Sequence, residues 1–154
     1  MTKLLIALVA LLAPVAAHAA NDVALTSEVF VEKAVPDAAG RTRLVLEPPK
    51  VVVPGDRLVF VLGYKNLGRA PAADFVVTNP MPSAVAYQGA ADGAAMVSVD
   101  GGRSWGALPA LKVRGEGGVV RAARPEDVTH VRWAMKMPIP VGAAGKLSFR
   151  GVVR

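Results

Sequence analysis

Short runs of alternating apolar and polar residues make up most of the chain after residue 20. In the clearest run, residues 57–66, the apolar side chains of Leu58, Phe60, Leu62 and Tyr64 fall on one face. A period of two is typical of a half-buried β-strand. Further strands are predicted at residues 23–35, 42–47, 50–53, 75–78, 85–87, 96–99, 131–137 and 147–153. Beyond the first twenty residues, no stretch of ten or more has the period of an amphipathic helix.

Glycine and proline separate these runs. The chain contains 15 glycines and 12 prolines, and most of them fall at the predicted turns. Many short strands with regular turn signals predict an all-β fold, either a sandwich or a small barrel. Because no predicted helix could connect parallel strands, we expect the strands to pair antiparallel.

The first nineteen residues have a different pattern. Lys3 precedes an almost unbroken apolar run over residues 4–15, and Ala17 and Ala19 stand in the arrangement that a signal peptidase recognises. This run is shorter than the roughly 20 apolar residues that span a bilayer. We predict a signal peptide over residues 1–19 and one domain over residues 20–154, periplasmic or secreted, with no transmembrane span after cleavage. An uncleaved amino-terminal anchor is the alternative.

The chain contains no cysteine. Disulfides and a lipid-modified cysteine are therefore excluded, so burial of apolar surface alone must hold the exported part together. A chain of about 135 residues buries roughly two thirds of the surface that it exposes when unfolded, which is enough for this purpose.

Positive charge is concentrated in the carboxy-terminal third. Residues 20–102 carry seven Lys or Arg and nine Asp or Glu, a net charge of −2, whereas residues 103–154 carry ten and three, a net charge of +7. The basic residues that could face an anionic envelope polymer or a membrane surface are Arg114, Arg121, Arg124, Arg132, Lys136, Lys146, Arg150 and Arg154. A simple solvated face is the alternative. Nucleic acid is not an expected partner, because an exported chain without interleaved aromatic residues is poorly suited to base stacking.

The segment from Pro54 to Tyr87 resembles a known family. It reads Pro-Gly-Asp, an alternating strand with an aromatic residue, Asn-x-Gly, a small turn and a second apolar strand before Met-Pro. This order resembles the bacterial "conserved repeat" surface domain, the domain of unknown function eleven. The residues that carry the motif are Pro54, Gly55, Asp56, Asn66, Gly68 and Pro82, whereas Asn79 and Met81 replace the family's usual Asp and Leu.

That resemblance implies an immunoglobulin-like antiparallel β-sandwich of about seven to nine strands on an exported protein, without catalytic residues. The residue types also suit local roles. Gly55 permits the turn before the strand, Asn66 can form an Asx-type turn, and Gly68 is expected to adopt a positive φ.

A second motif, residues 98–105, resembles the Asp-box hairpin of sialidase-type propellers. Its key positions are Ser98, Asp100, Gly102 and Trp105. The pattern predicts a tight hairpin in which Asp100 accepts hydrogen bonds from turn amides, Gly102 adopts a conformation closed to other residues and Trp105 packs under the turn. A single copy cannot build a propeller, so we interpret it as a structural hairpin.

Residues for catalysis or metal binding are sparse. His130 is the only histidine after residue 19, and the alternation of its strand places it on the polar face. A zinc site or a Ser-His-Asp triad would depend on it alone. We therefore predict no enzymatic activity, no metal and no cofactor.

The leading hypothesis is a non-enzymatic module of the cell envelope, with a binding or structural role and with another envelope protein or an anionic polymer as its partner. One alternative is a carbohydrate-binding module, for which the candidate aromatic residues are Tyr64, Tyr87, Trp105 and Trp133. Another is a pilus-like or assembly subunit completed by a donated strand. A hydrolase that depends on His130 is the least favoured hypothesis.

Overall fold

A computed structural model describes residues 22–154, and the predicted signal peptide at residues 1–19 lies outside this range. The described chain forms ten strands and three short 3-10 turns, with no α-helix between residues 22 and 154. The strands are β1 (Val23–Pro36), β2 (Thr42–Glu47), β3 (Arg57–Asn66), β4 (Val76–Pro80), β5 (Val85–Ala90), β6 (Met96–Ser98), β7 (Lys112–Arg114), β8 (Val120–Ala122), β9 (His130–Ala134) and β10 (Ala144–Val153). The 3-10 turns are Leu108–Ala110, Glu116–Gly118 and Pro125–Asp127.

The strands form two packed sheets and a small hairpin. The larger sheet has the order β2-β1-β3-β10-β5, the smaller has the order β4-β9-β6, and β7 pairs with β8. Every strand pair is antiparallel, as the absence of crossover helices predicts. The all-β, antiparallel class predicted from the alternating pattern is therefore confirmed.

Aromatic rings from both sheets fill the core. Phe149 of β10 is completely buried and lies opposite Phe60 of β3, and the two rings stack with their centroids 4.5 Å apart. Trp133, from the smaller sheet, lies 6.1 Å from the Phe149 ring, and Tyr87 lies 6.5 Å from it. Because each sheet directs every second side chain inward, these large apolar groups close the sandwich without a covalent link.

Two strand predictions were wrong, because one strand does not form and the other is shorter than predicted. Residues 50–53 form no strand, because the prolines at positions 48, 49 and 54 remove main-chain donors, and Val51 is 81% exposed. The run at 131–137 ends as a strand at Ala134, and Met137 is 78% exposed. Apolar residues at these positions follow the pattern of a strand but have no sheet to join.

Strand number and strand boundaries also differ from expectation. The described chain has ten strands where seven to nine were expected, since β6, β7 and β8 are only three residues long each. The strand predicted at 75–78 is β4, which starts one residue later, after Asp74 at φ +52°, and continues to Pro80.

Candidate functional site

The Asp-box-like hairpin begins at a buried serine. Ser98 ends β6 and is fully buried, and its carbonyl accepts a hydrogen bond from the Thr129 main-chain N–H at 2.8 Å. The Ser98 hydroxyl donates to Asp100 Oδ1 at 2.7 Å and accepts from the Gly102 N–H at 2.8 Å. These bonds fix the start of the hairpin to the smaller sheet.

The Asp100 carboxylate is saturated by donors from its own turn. Oδ1 accepts the main-chain N–H groups of Arg103 at 3.0 Å and Ser104 at 2.9 Å, and Oδ2 accepts the Ser104 hydroxyl at 2.6 Å. The hydroxyl and N–H of Ser104, with the other donors, hold the pKa of Asp100 far below its ordinary value. A carboxylate that stays ionised and fully bonded serves the turn and cannot donate a proton near neutral pH.

Two glycines and a tryptophan complete the hairpin. Gly101 has φ +77° and Gly102 has φ +88°, values that favour glycine. A Cβ atom on Gly102 would lie 3.5 Å from the Trp105 ring, so the indole packs directly against the turn.

The half-buried Trp105 ring lies between the hairpin and the outer face of β9. The Arg132 guanidinium carbon is 5.1 Å from the Trp105 ring centroid, and the His130 ring approaches edge-on at 6.3 Å. His130 Nδ1 is 3.1 Å from the Thr129 hydroxyl. Arg132 Nε is buried and has no hydrogen-bond partner in the described part of the chain, so its guanidinium is held mainly over the indole.

The part of the chain that the structure describes contains no group of three or more His, Asp or Glu side chains positioned to hold one metal ion. The contacts of the His130 ring are with the Trp105 ring and the Thr129 hydroxyl. The arrangement can position an indole and a guanidinium at the surface.

Asn66 organises a distant part of the fold. Its side chain is 1% exposed, and Nδ2 donates to the carbonyls of Ala70 at 2.9 Å and Ile139 at 2.8 Å, while Oδ1 accepts from the Gly68 N–H at 2.9 Å. Gly68 does not have the positive φ that we expected. Glycine suits this position for a different reason, since a Cβ atom would lie in tight contact, 3.1 Å from Asn66 Oδ1.

The Pro54–Asp56 turn precedes β3 and is hydrogen-bonded to the end of the last strand, β10. Gly55 has φ +95°, and its N–H donates to the Val153 carbonyl at 2.9 Å. Asp56 Oδ2 accepts the Val53 N–H at 2.9 Å. Further along, the Pro82 carbonyl accepts the Val85 N–H at 2.9 Å in the turn before β5. The motif residues lie in turns around the edges of the sandwich and do not converge on one site.

Several of the eight candidate basic residues have partners within the fold. Arg121 donates to both carboxylate oxygens of Asp127, at 2.6 and 2.8 Å, and this contact lowers the pKa of Asp127 and raises that of Arg121. Arg150 pairs with Glu32 at 3.4 Å, and Arg154 donates to the Ser83 carbonyl. Among these eight candidates, those that are exposed and have no side-chain ion pair within residues 22–154 are Arg114, Arg124, Lys136 and Lys146.

The candidate aromatic residues have mostly internal roles. Tyr87 and Trp133 are buried, and the Trp133 Nε1–H donates to Asp92 Oδ1 at 3.2 Å. Tyr64 is half-buried with its ring 6.4 Å from Phe75. Trp105 is also half-buried, with the Arg132 guanidinium against its ring.

The structure has an apolar groove that was not predicted from the sequence. It has a volume of about 390 Å³, and its walls contain no polar side chain. It is lined by Val29, Pro49, Val52, Leu58, Phe60, Pro82, Ala84, Val85 and Val153. The sequence signal that could have located it is the stretch of three valines beside two prolines at residues 48–53, which has no place in either sheet.

Comparisons with known proteins return no match: no family model, no curated protein and no solved structure is similar to this chain. Within residues 22–154, no helix has the length and apolar character required to cross a membrane.

Proposed function

We propose that this chain is a non-enzymatic, exported module of a bacterial-type cell envelope, with an immunoglobulin-like sandwich that binds another envelope component or contributes to envelope structure. The observation that carries the non-enzymatic part of the proposal is the hydrogen bonding of Asp100. Its carboxylate accepts four hydrogen bonds, three at Oδ1 and one at Oδ2, and all of them come from its own turn. The most perturbed titratable group thus has a structural task, which argues against catalysis at the hairpin.

Two features of the sequence support an envelope location. The first nineteen residues have the order of a signal peptide. The resemblance of residues 54–87 to the bacterial surface domain favours the same compartment and the immunoglobulin-like arrangement of strands.

The partner class follows from the remaining charge. Residues 103–154 carry a net charge of +7, and Arg114 and Arg124 are exposed on neighbouring segments near the β7–β8 hairpin. Arg121, in contrast, is neutralised by Asp127. We therefore assign binding of an anionic envelope polymer or an acidic envelope protein to Arg114 and Arg124.

Co-sedimentation with phosphatidylglycerol vesicles and with an anionic polysaccharide tests this proposal. The Arg114→Glu/Arg124→Glu variant should lose binding to at least one of them, and binding by the original protein should fall as salt increases. The matched control is Lys65→Glu/Arg69→Glu, which changes net charge equally at two other exposed sites.

Equal loss of binding in both variants would mean that net charge alone is responsible, and would contradict the assignment. Absence of binding by the original protein to both materials, together with an empty pull-down from an envelope fraction, would count against the binding role. Turnover of any substrate that disappears in His130→Ala would contradict the non-enzymatic proposal.

A further inference from the structure

The outermost strand of the larger sheet, β2, has an unprotected edge. Five of its six residues are exposed, and Leu44 and Leu46 are 61% and 48% exposed. Strand β1 lies on one side of β2 and no strand lies on the other in the described chain. Natural proteins usually protect such edges with proline, a bulge, inward-pointing charge or a covering segment, because unpaired main-chain groups are a template for another strand. Strand β2 has no proline and no bulge, and the two charges that its register places on the inner face, Arg43 and Glu47, have opposite signs, so a second copy of the strand can pair them.

The other strands that end a sheet in residues 22–154 differ from β2. Strand β5 pairs with β10 through a register shift at Arg150/Gly151, which twists that edge. Strand β4 ends on Pro80, and β6 is covered by the bridge between Val97 and Gly106. Residues 23–30 of β1 also have a strand on one side only, because β2 pairs with residues 31–36 of β1. Among the strands that end a sheet, β2 is therefore the edge most suited to pairing with a further strand.

The turn before β2 determines which of its main-chain groups face outward. The Asp37 N–H donates to the Arg41 carbonyl at 2.8 Å, and the Gly40 N–H donates to the Asp37 carbonyl at 2.9 Å, as in a three-residue hairpin loop. Hydrogen-bonded and non-bonded pairs alternate along an antiparallel ladder. The residues of β2 that bond to β1 are therefore Arg43, Val45 and Glu47, and those with outward N–H and C=O groups are Thr42, Leu44 and Leu46.

We propose that two copies of this chain associate through their β2 strands, antiparallel and around a two-fold axis at Val45. In this register, Leu44 of one copy lies opposite Leu46 of the other, and each such pair can exchange both main-chain hydrogen bonds because all of these groups face outward. Arg43 of each copy lies opposite Glu47 of the other, on the face that Val45 shares. Apolar residues therefore meet apolar residues, and opposite charges meet on both sides of the axis.

Other registers of the β2–β2 pair either lose hydrogen bonds or place ill-matched side chains opposite one another. A shift of one residue would set outward groups of one strand against inward groups of the other and lose the hydrogen bonds. Moving the axis to Leu44 or Leu46 would place Val45 opposite a charged residue, and moving it to Arg43 would place two arginines together. Arg43 has no ion-pair partner in the described part of the chain, whereas Glu47 contacts Lys33 at 3.0 Å in an exposed pair that can adapt.

The proposed contact is self-limiting. Because the same surface serves both copies, the two-fold contact uses both β2 edges and closes as a dimer. The twisted β5 edge then remains at each end of a continuous ten-stranded sheet. This inference is independent of the proposed binding of anionic polymers, since Arg114 and Arg124 lie outside β2.

Sedimentation velocity of the purified protein over a range of concentrations tests the dimer. The original protein should show a concentration-dependent monomer–dimer equilibrium. Leu44→Pro should abolish it, because the substitution removes an outward N–H that is not used by β1. The matched control is Leu67→Lys at another leucine that is 61% exposed, and this variant should dimerise normally. Unchanged tryptophan fluorescence of Leu44→Pro verifies that its fold is intact.

A charge exchange tests the register. Arg43→Glu and Glu47→Arg should each weaken self-association by about ten-fold, since each variant places like charges opposite one another twice. An equimolar mixture of the two variants should form a heterodimer, because both opposing pairs are then attractive. Failure of the mixture to associate while the original protein dimerises would overturn the register.

Other outcomes would overturn the whole inference. A protein that remains monomeric at every concentration excludes the dimer. A dimer that persists in Leu44→Pro, or one that is lost instead in Val52→Glu, would show that another surface, such as the apolar groove, mediates association. A monomer that captures an extended peptide along β2 would show that the occupant of this edge is not a second copy.

Discussion

Replacing Asn66 with alanine should destabilise the protein more than its single side chain suggests. Asn66 is 1% exposed and makes three side-chain hydrogen bonds, to Ala70, Ile139 and Gly68. Alanine would leave two carbonyls and one N–H without these partners. The three bonds join the end of β3 to the loop that follows it and to a segment 73 residues away in sequence. The variant thus tests whether one amide holds this corner of the sandwich.

The expected magnitude follows from the burial of each group that loses its partner. Ile139 is 4% exposed, but its carbonyl also accepts the Ala72 N–H at 2.9 Å, so it keeps one hydrogen bond and the loss of the other costs about 1 kcal/mol. Gly68 is half-buried and Ala70 is exposed, so water can partly replace their bonds, at about 0.5 kcal/mol each. The sum is about 2 kcal/mol, a large fraction of the roughly 5–15 kcal/mol that is typical of domains.

Urea denaturation followed by tryptophan fluorescence measures this effect, since Trp133 is buried in the native state. For about 130 residues, a loss of about 2 kcal/mol corresponds to a decrease in Tm of about 7 °C. The control is Asn79→Ala, whose amide donates only to the neighbouring Pro80 carbonyl at 2.8 Å and whose loss should cost less than about 1 kcal/mol. If Asn66→Ala and Asn79→Ala lose equal free energies of unfolding, the proposed role of Asn66 is wrong.

Three further predictions concern the core, the hairpin and the sheet. Phe149→Ala should lower the free energy of unfolding by about 3–5 kcal/mol in urea titrations, whereas Phe30→Ala, on the half-buried outer face, should cost clearly less. Asp100→Asn should lower Tm at pH 7. Because the pKa of Asp100 is depressed in the folded state, the contribution of its carboxylate to stability is complete above the unfolded pKa of about 4 and declines as pH falls below that value. The Tm difference between the variant and the original protein should therefore shrink in acid scans. Gly145→Ala should cost about 1–3 kcal/mol and shift tyrosine fluorescence, because the new methyl group would meet the Tyr64 ring on the paired strand; an unchanged spectrum would contradict that contact.

The class of the fold could be predicted because the alternation of apolar residues is a local property. Residues 57–66 direct their apolar side chains to one face whatever the rest of the chain does, and prolines and glycines mark most of the strand ends. The same reasoning failed at residues 50–53, where three consecutive valines have no strand to pair with. Local pattern therefore predicts the tendency to form a strand, and a neighbouring strand decides whether one forms.

The hairpin at residues 98–105 shows how far local chemistry extends. The bonds that Asp100 accepts come from residues at most four positions away, so spacing alone was sufficient to nominate the residues involved. The contact of Trp105 with Arg132 joins residues far apart in the chain, and no feature of either segment predicts it.

The distribution of charge could be predicted from the sequence only in part. The sequence alone established that the last third of the chain is basic, because counting residues requires no coordinates. Only the tertiary structure distinguished Arg121, which is bound by Asp127, from the exposed Arg114. An ion pair depends on the distance between two atoms, and that distance is decided when the β7–β8 hairpin and the following 3-10 turn come together.

By itself, the sequence determined the antiparallel all-β class, the positions of most turns and the lack of disulfides, because each depends on the residue types and their immediate neighbours. The tertiary structure decided which strand lies at the edge, which polar groups are buried and where apolar surface remains uncovered. Strand β2 has the same alternating pattern as the other strands, yet its register pairs Leu46 with Glu32 and so places its leucines on the outer face of the larger sheet, where they are exposed. Burial is a relation between distant parts of the chain, and it exists only after those parts have packed.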